Sequence, residues 1–276
     1  MAASHSNAPI PDLRIVPAEH IHPHEEHDPQ RSIPLIEQLK RAEFITNPPI
    51  VSPVDDRGHY VILDGANRCY SFQYLGYAQI LVQVIAYESG YVELDNWHHI
   101  IGGWDVDEFL KQVRKMPDME IIDGHQPQAV AHVYCRDGRV LALRAPVSST
   151  HERNETLCSI VRIYQQHAKL HRTAMNDPHA NWDMFPDGSA MVVFPRYQPQ
   201  DIIAAARYKS FLPPGVSRHI VHGRALSVNY PLELLRDEHT SLEEKNTSLK
   251  VWIQGKMANR QVRYYAEATY QFGEYE

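Results

Sequence analysis

The stretch Tyr60-Val-Ile-Leu-Asp-Gly-Ala-Asn-Arg68, running on through Cys69 to Gly76, constrains this chain most. A β-branched run stops at Asp64-Gly65 and a helical pattern begins at once. The first free backbone N–H groups of a helix, a carboxylate and an arginine therefore fall close together. Free amides at the positive end of a helix attract anions, and an arginine one turn in can fork onto a phosphate. The stretch alone leaves two readings open. It is a phosphate-holding corner, or an ordinary strand-to-helix turn with Asp64 as cap and Gly65 as turn residue.

The flanking sequence alternates strands and helices. Leu13–Pro17 reads as a strand, and Ile33, Ile36 and Leu39 set a helix from Pro29 to Lys40 or Arg41. Asn47-Pro-Pro49 must be extended. Ile50-Val51 and Tyr60–Leu63 form a hairpin around Asp55–Gly58, and Ile80–Ala86 is a further strand. Glu93–Trp104 reads as a connector beside a pocket. Beyond it come a helix at Val106–Lys115, strands at Ala129–Cys135 and Val140–Leu143, and a long helix over Asn154–His171. A strand at Met191–Phe194, a helix at Pro199–Lys209 and a strand at Val216–Val221 follow. Leu249–Ile253 and Val262–Phe272 alternate as a tail hairpin.

Length sets the scale: 276 residues suit two domains. The expected organisation is α+β, with a leader over 1–10, a nucleotide-binding α/β domain over 11–105 and a substrate-binding α+β domain over 106–276. The 27 Lys+Arg against 34 Asp+Glu give a net charge of -7, which argues against a nucleic-acid partner. No apolar run is long enough to span a membrane. The first residues lack the basic and apolar regions of a signal peptide, and Cys69, Cys135 and Cys158 lack CxxC spacing. A cytoplasmic protein with reduced thiols is expected.

Histidine is abundant, 17 in all, with His5, His20, His22, His24 and His27 near the start. His-Pro-His-Glu-Glu-His carries metal-ligating types, but no second cluster stands at matched spacing. A loop that presents a carboxylate is the stronger reading. Glu25 and Glu26 sit between a strand and a helix, where a scaffold can aim them. A carboxylate near a phosphoryl donor can act as base toward a hydroxyl, and Asp64 could hold Mg²⁺ against phosphates.

Taken in order, His24-Glu-Glu-His-Asp-Pro-Gln-Arg31, Asn47-Pro-Pro-Ile-Val51, Leu63-Asp-Gly-Ala-Asn-Arg68 and Tyr74-Leu-Gly76 resemble the ParB/sulfiredoxin-like superfamily. Within it they resemble the free L-serine kinases, among them the staphyloferrin B cluster enzyme and archaeal ADP-dependent enzymes. The likeness covers about residues 10–105 and continues more weakly through Pro213-Pro-Gly-Val-Ser-Arg-His219. It implies a ParB/sulfiredoxin-like first domain, an active site in the cleft between the domains, and phosphorylation of free serine by ATP or ADP with Mg²⁺. It implies Glu25 as base and Asp64 as the essential acidic residue. Asn47, Gly65, Ala66, Asn67 and Arg68 would hold nucleotide phosphates; Trp97, Ser217, Arg218 and His219 would hold serine. A siderophore pathway follows from the same likeness, and a homodimer and a regulatory haem are compatible with it.

One position departs from the family. A histidine usually precedes the box arginine, and here Asn67 stands there. Asparagine donates hydrogen bonds but cannot take up a proton or carry a positive charge as histidine can. The alternative function is a ParB-like DNA-binding or ligand-sensing regulator, for which the chain shows no basic recognition helix. A sulfiredoxin-type reductase would need a reactive cysteine before the arginine; Cys69 follows it and reads as a core residue.

Overall fold

The computed structural model describes residues 8–27 and 29–265. The first seven residues of the expected 1–10 leader, among them His5, Asp28 of the loop motif and the tail beyond 265 lie outside the described residues. The fold is α+β with several sheets. Two compact units emerge, and neither is a linear segment. The first draws on Met1–His22, His27–Glu93 and Ile220–Glu276; the second on Pro23–Glu26 and Leu94–His219. The sequence division at 105 is linear, whereas the chain after His219 belongs with its own beginning. Four residues, Pro23–Glu26, leave the first unit for the second.

The first unit holds a five-stranded mixed sheet in the order Asp12–Pro17, Gln79–Val84, Ile50–Pro53, Tyr60–Asp64, Ile21–His22. The expected hairpin forms, with Val51 opposite Ile62. Its turn is closed by Asp55, whose Oδ1 accepts from the N–H of Arg57 at 2.9 Å. Val61, Ile80, Leu81 and Val82 are fully buried, which explains why these strands read as continuous apolar runs. Helix Pro29–Arg41 packs beside helix Ala66–Tyr74. Ser32, Ile36 and Leu39 form its inward stripe, while Ile33 faces out at 62% exposure.

The expected tail hairpin is replaced by a helix. Leu249–Ile253 lies inside helix Leu242–Ala258, which opens with a capping box between Ser241 and Glu244. Lys245 and Leu249 face the core, and Val251 is exposed. The side-chain amide of Asn246 holds the outermost strand: it accepts from the N–H of Ile15 and donates to its carbonyl, both at 2.9 Å.

The second unit is built on a six-stranded antiparallel sheet. Its order is Lys169–Thr173, His98–Gly102, Gly188–Val193, Ala131–Cys135, Val140–Arg144, Glu120–Asp123. Glu93–Trp104 carries the chain from the first unit into the second, between Glu93 and Leu94, but it is not an irregular connector. It holds all but the first residue of strand Val92–Asn96 and the whole of strand His98–Gly102, the second an interior strand of this sheet. The long helix runs over Thr150–Gln165, and Lys169–Thr173 continues as a strand rather than more helix. Its expected stripe, Leu157, Ile160, Val161 and Tyr164, is fully buried. Among the described residues, no helix is long and apolar enough to cross a membrane.

Asn246→Ala should lower unfolding free energy by about 1–3 kcal/mol, since it strands two backbone groups of a buried residue. Urea unfolding measures this, and an unchanged midpoint would show that the amide contributes nothing.

Candidate active site

In the first unit, strand Tyr60–Asp64 passes through Gly65 into helix Ala66–Tyr74. Gly65 is left-handed, at φ 89°, and a Cβ there would sit 3.2 Å from Pro49 Cα and 3.1 Å from Arg68 Nε. Glycine is thus required both for the turn and for close approach. Asp64 does not cap the helix with its side chain. Instead its Oδ2 accepts from Arg68 Nη2 at 3.1 Å and from Arg224 Nη1 at 2.5 Å. Burial works against charge on Asp64, but Arg68, Arg224 and the N–H of Gly65 outweigh it and hold the carboxyl below its usual range. Two guanidiniums and one carboxylate leave one net positive charge at the positive end of a helix.

Arg68 is more than a free anion fork. Its Nη1 donates to the carbonyl of Asn47, so it also braces the Asn-Pro-Pro segment. The Asn47 side chain is occupied too, with Oδ1 accepting from the N–H of Ser227 at 2.9 Å. Arg224 was not singled out from the sequence. Its only local signal is Gly223 before it, a left-handed turn residue at φ 81°.

In the second unit, Glu25 is pinned by the loop its sequence reading matched only loosely. Its carboxylate accepts from the N–H of Gly215 at 2.7 Å, from the N–H of Ser217 at 2.7 Å and from the Ser217 hydroxyl at 2.5 Å. His24 Nε2 lies 2.7 Å from the same hydroxyl, and its ring meets His219 edge-on at 5.6 Å. Gly215 must be glycine: φ is 72°, and a Cβ would overlap the Arg172 guanidinium. A carboxylate offers about four lone-pair sites; three hydrogen bonds leave one for a ligand hydroxyl.

Below this loop, His99 Nε2 donates to the carbonyl of Gly215 at 3.0 Å, and Nδ1 accepts from the Tyr164 hydroxyl at 2.7 Å. Complete burial, aided by the Arg172 charge, pushes the His99 pKa down to about 3. The backbone N–H of Trp97 donates to the carbonyl of Val216 at 2.8 Å. Arg218 lies over the Trp97 ring at 5.0 Å and reaches Asp95 at 3.4 Å. Glu25, Trp97, Ser217, Arg218 and His219 are thereby brought together in the second unit, and Asn47 with Asp64–Arg68 in the first.

The Asp64 oxygen bonded to two guanidiniums is a poor direct ligand for Mg²⁺. Among the described residues, no group of three or more His, Cys, Asp or Glu is arranged to hold a metal ion. Burial raises the thiols of Cys69 and Cys158 to about 12 and that of Cys135 to about 11, the setting of inert core cysteines.

No family model matches the sequence. The chain is nevertheless homologous to free L-serine kinases over most of its length. The ATP-dependent L-serine kinase SbnI of Staphylococcus aureus is 26% identical over 270 residues, covering 94% of this chain and 96% of that protein. An ATP-dependent L-serine kinase of Staphylothermus marinus is 27% identical over 111 residues, covering 37% of this chain and 44% of that one. The same fold appears in a C-terminally truncated SbnI structure at TM-score 0.70, with 21% identity, 95% of this chain and all of that one aligned. It appears again in a free serine kinase in complex with AMP at TM-score 0.69, with 15% identity, covering 83% of this chain and 95% of that one.

His99 makes a pH prediction. A folded pKa far below the unfolded value of about 6.5 contributes stability that is present above that pH and is lost as pH falls toward 3. Unfolding free energy should therefore decline over this window, and less steeply in His99→Gln. Parallel slopes for parent and variant would remove His99 from the acid response.

Proposed function

We propose that this chain is a free L-serine kinase that transfers the terminal phosphoryl group of a nucleotide to the serine hydroxyl, giving O-phospho-L-serine. The observation that carries the reading is the pinned Glu25 carboxylate, which keeps one lone pair for a hydroxyl proton. Its three donors fix the position of the base before substrate arrives. ATP is the favoured donor, because both curated relatives are described as ATP-dependent; ADP is the alternative, and Mg²⁺ enters with the nucleotide as part of the substrate.

In this reading the first unit takes the nucleotide. The helix start at Ala66 and Asn67 and the net positive charge of the Asp64, Arg68 and Arg224 cluster neutralise phosphate oxygens, while the Gly65 N–H stays on the Asp64 carboxylate. Asn47 shapes that turn through Arg68 and Ser227 rather than by direct contact. The second unit takes serine: Arg218, aligned by Trp97 and Asp95, binds the carboxylate, and Ser217 and His219 flank the hydroxyl. Glu25 accepts the hydroxyl proton as the serine oxygen bonds to phosphorus. The bond from phosphorus to the bridging oxygen breaks, and the shortened nucleotide leaves with that electron pair. No imidazole is needed at Asn67, because the positive charge of the corner comes from its two arginines. A DNA-binding role finds no support in the long helix, whose Arg162 is committed to Glu26 at 2.5 Å.

Protein, Mg²⁺, serine and ATP or ADP should yield O-phosphoserine by mass spectrometry. Folded protein that makes none with either nucleotide would refute the kinase reading. Glu25→Gln should bind nucleotide like the parent and lose at least a hundredfold in kcat, on the usual scale for general-base catalysis of about 10²–10⁴. Full turnover in that variant would remove Glu25 as base.

A further inference from the structure

Strand Gln79–Val84 is apolar and buried through its middle, Ile80, Leu81 and Val82, and then places a polar side chain, Gln83, at 2% exposure. A buried carboxamide is costly unless hydrogen-bonded, and this one is bonded at both ends. Gln83 Nε2 donates to the carbonyl of Gly223 at 2.9 Å, and Oε1 accepts from the N–H of Ala225 at 2.8 Å. The two partners are the residues immediately before and after Arg224. The segment is fixed again further on, where Asn47 Oδ1 takes the N–H of Ser227 and the Thr46 carbonyl takes that of Val228 at 2.7 Å.

The consequence is directional. With Gly223 left-handed and both neighbours clamped, the Arg224 side chain is aimed at Asp64, where Nη1 meets Oδ2 at 2.5 Å. That is the one hydrogen bond Arg224 makes among the described residues, and its side chain is 29% exposed. A guanidinium has five N–H donors, so Arg224 retains the others for an anion. Arg68 differs, being tied to both Asp64 and Asn47.

We propose that Gln83 is a positioning residue for nucleotide phosphate: its carboxamide brackets Arg224 and fixes that guanidinium beside Asp64 as the second phosphate-binding arginine. The inference rests on the kinase reading for its ligand, and nucleotide binding without serine tests it separately from turnover.

The experiment is a double-mutant cycle on the full chain, with ATP affinity measured by calorimetry in the absence of serine, and kcat and both KM values measured in its presence. Gln83→Leu should weaken ATP binding about tenfold and raise the ATP KM in step, with the serine KM unchanged and kcat within about twofold. Gln83→Glu, which keeps the bond to the Ala225 N–H, should weaken ATP binding less. In an Arg224→Met background, Gln83→Leu should add no further loss. If Gln83→Leu does not fold, Gln83→Glu runs through the same cycle with the same expectation of no added loss. Unchanged ATP affinity in a folded Gln83 variant, or an equal loss with and without Arg224, overturns the proposal. A parent that binds ATP while the variant binds equally well overturns the role of Gln83 alone; a parent that binds no ATP overturns the nucleotide reading and this role with it.

Discussion

The hydrogen bonds to the Glu25 carboxylate are the constraint around which the second unit's candidate site is built. Pro23–Glu26 leaves the first unit for only four residues and forms no helix or multi-residue strand of its own, only an isolated bridge from Glu25 to Leu212. What holds it is a short ladder to the far loop, with Leu212 N–H on the His24 carbonyl at 2.8 Å and Glu26 N–H on the Leu212 carbonyl at 3.0 Å. The carboxylate adds two backbone amides and a hydroxyl. Hydrogen bonds to a charged acceptor are roughly twice as strong as neutral ones. The same bonds therefore anchor the excursion and orient the group at its tip. Their geometry is supported from beneath by a neutral His99, which donates to Gly215 without placing a second positive charge beside Arg172.

The first unit solves a different problem, that of gathering positive charge without burying it alone. Asp64 lies between two arginines and stays ionised because of them. Neither arginine is fully desolvated, at 21% and 29% exposure, so the cluster avoids the full cost of a buried ion. The imbalance of two cations to one anion sits at the start of a helix, whose own field has the same sign.

What could be read from the sequence was local. The Asp-Gly corner, the Asp55–Gly58 hairpin and the helix from Pro29 depend on residues adjacent in the chain, and all three form. Strand His98–Gly102 carries no period of two, because it is buried on both faces, and its paired histidines break the apolar run by which such a strand is otherwise recognised. At the C-terminal helix the alternation of Leu249, Val251 and Ile253 outweighed a capping box at Ser241 that pointed to the right element. Arg224 was out of reach for another reason. It meets Asp64 across 160 positions and is set by Gln83 across about 140, and no local pattern reports such a contact. The non-linear division of the chain escaped for the same reason.

Asn246 has a consequence for the edge of its sheet. Strand Asp12–Pro17 is the outermost of its sheet, hydrogen-bonded to Gln79–Val84 on one side only. An open strand edge is a template on which another chain can add a strand. Here the asparagine amide imitates one peptide unit of such an incoming strand, engaging both polar groups of Ile15. The helix that carries it thus covers that edge at Ile15, where a side chain stands in the next strand's place.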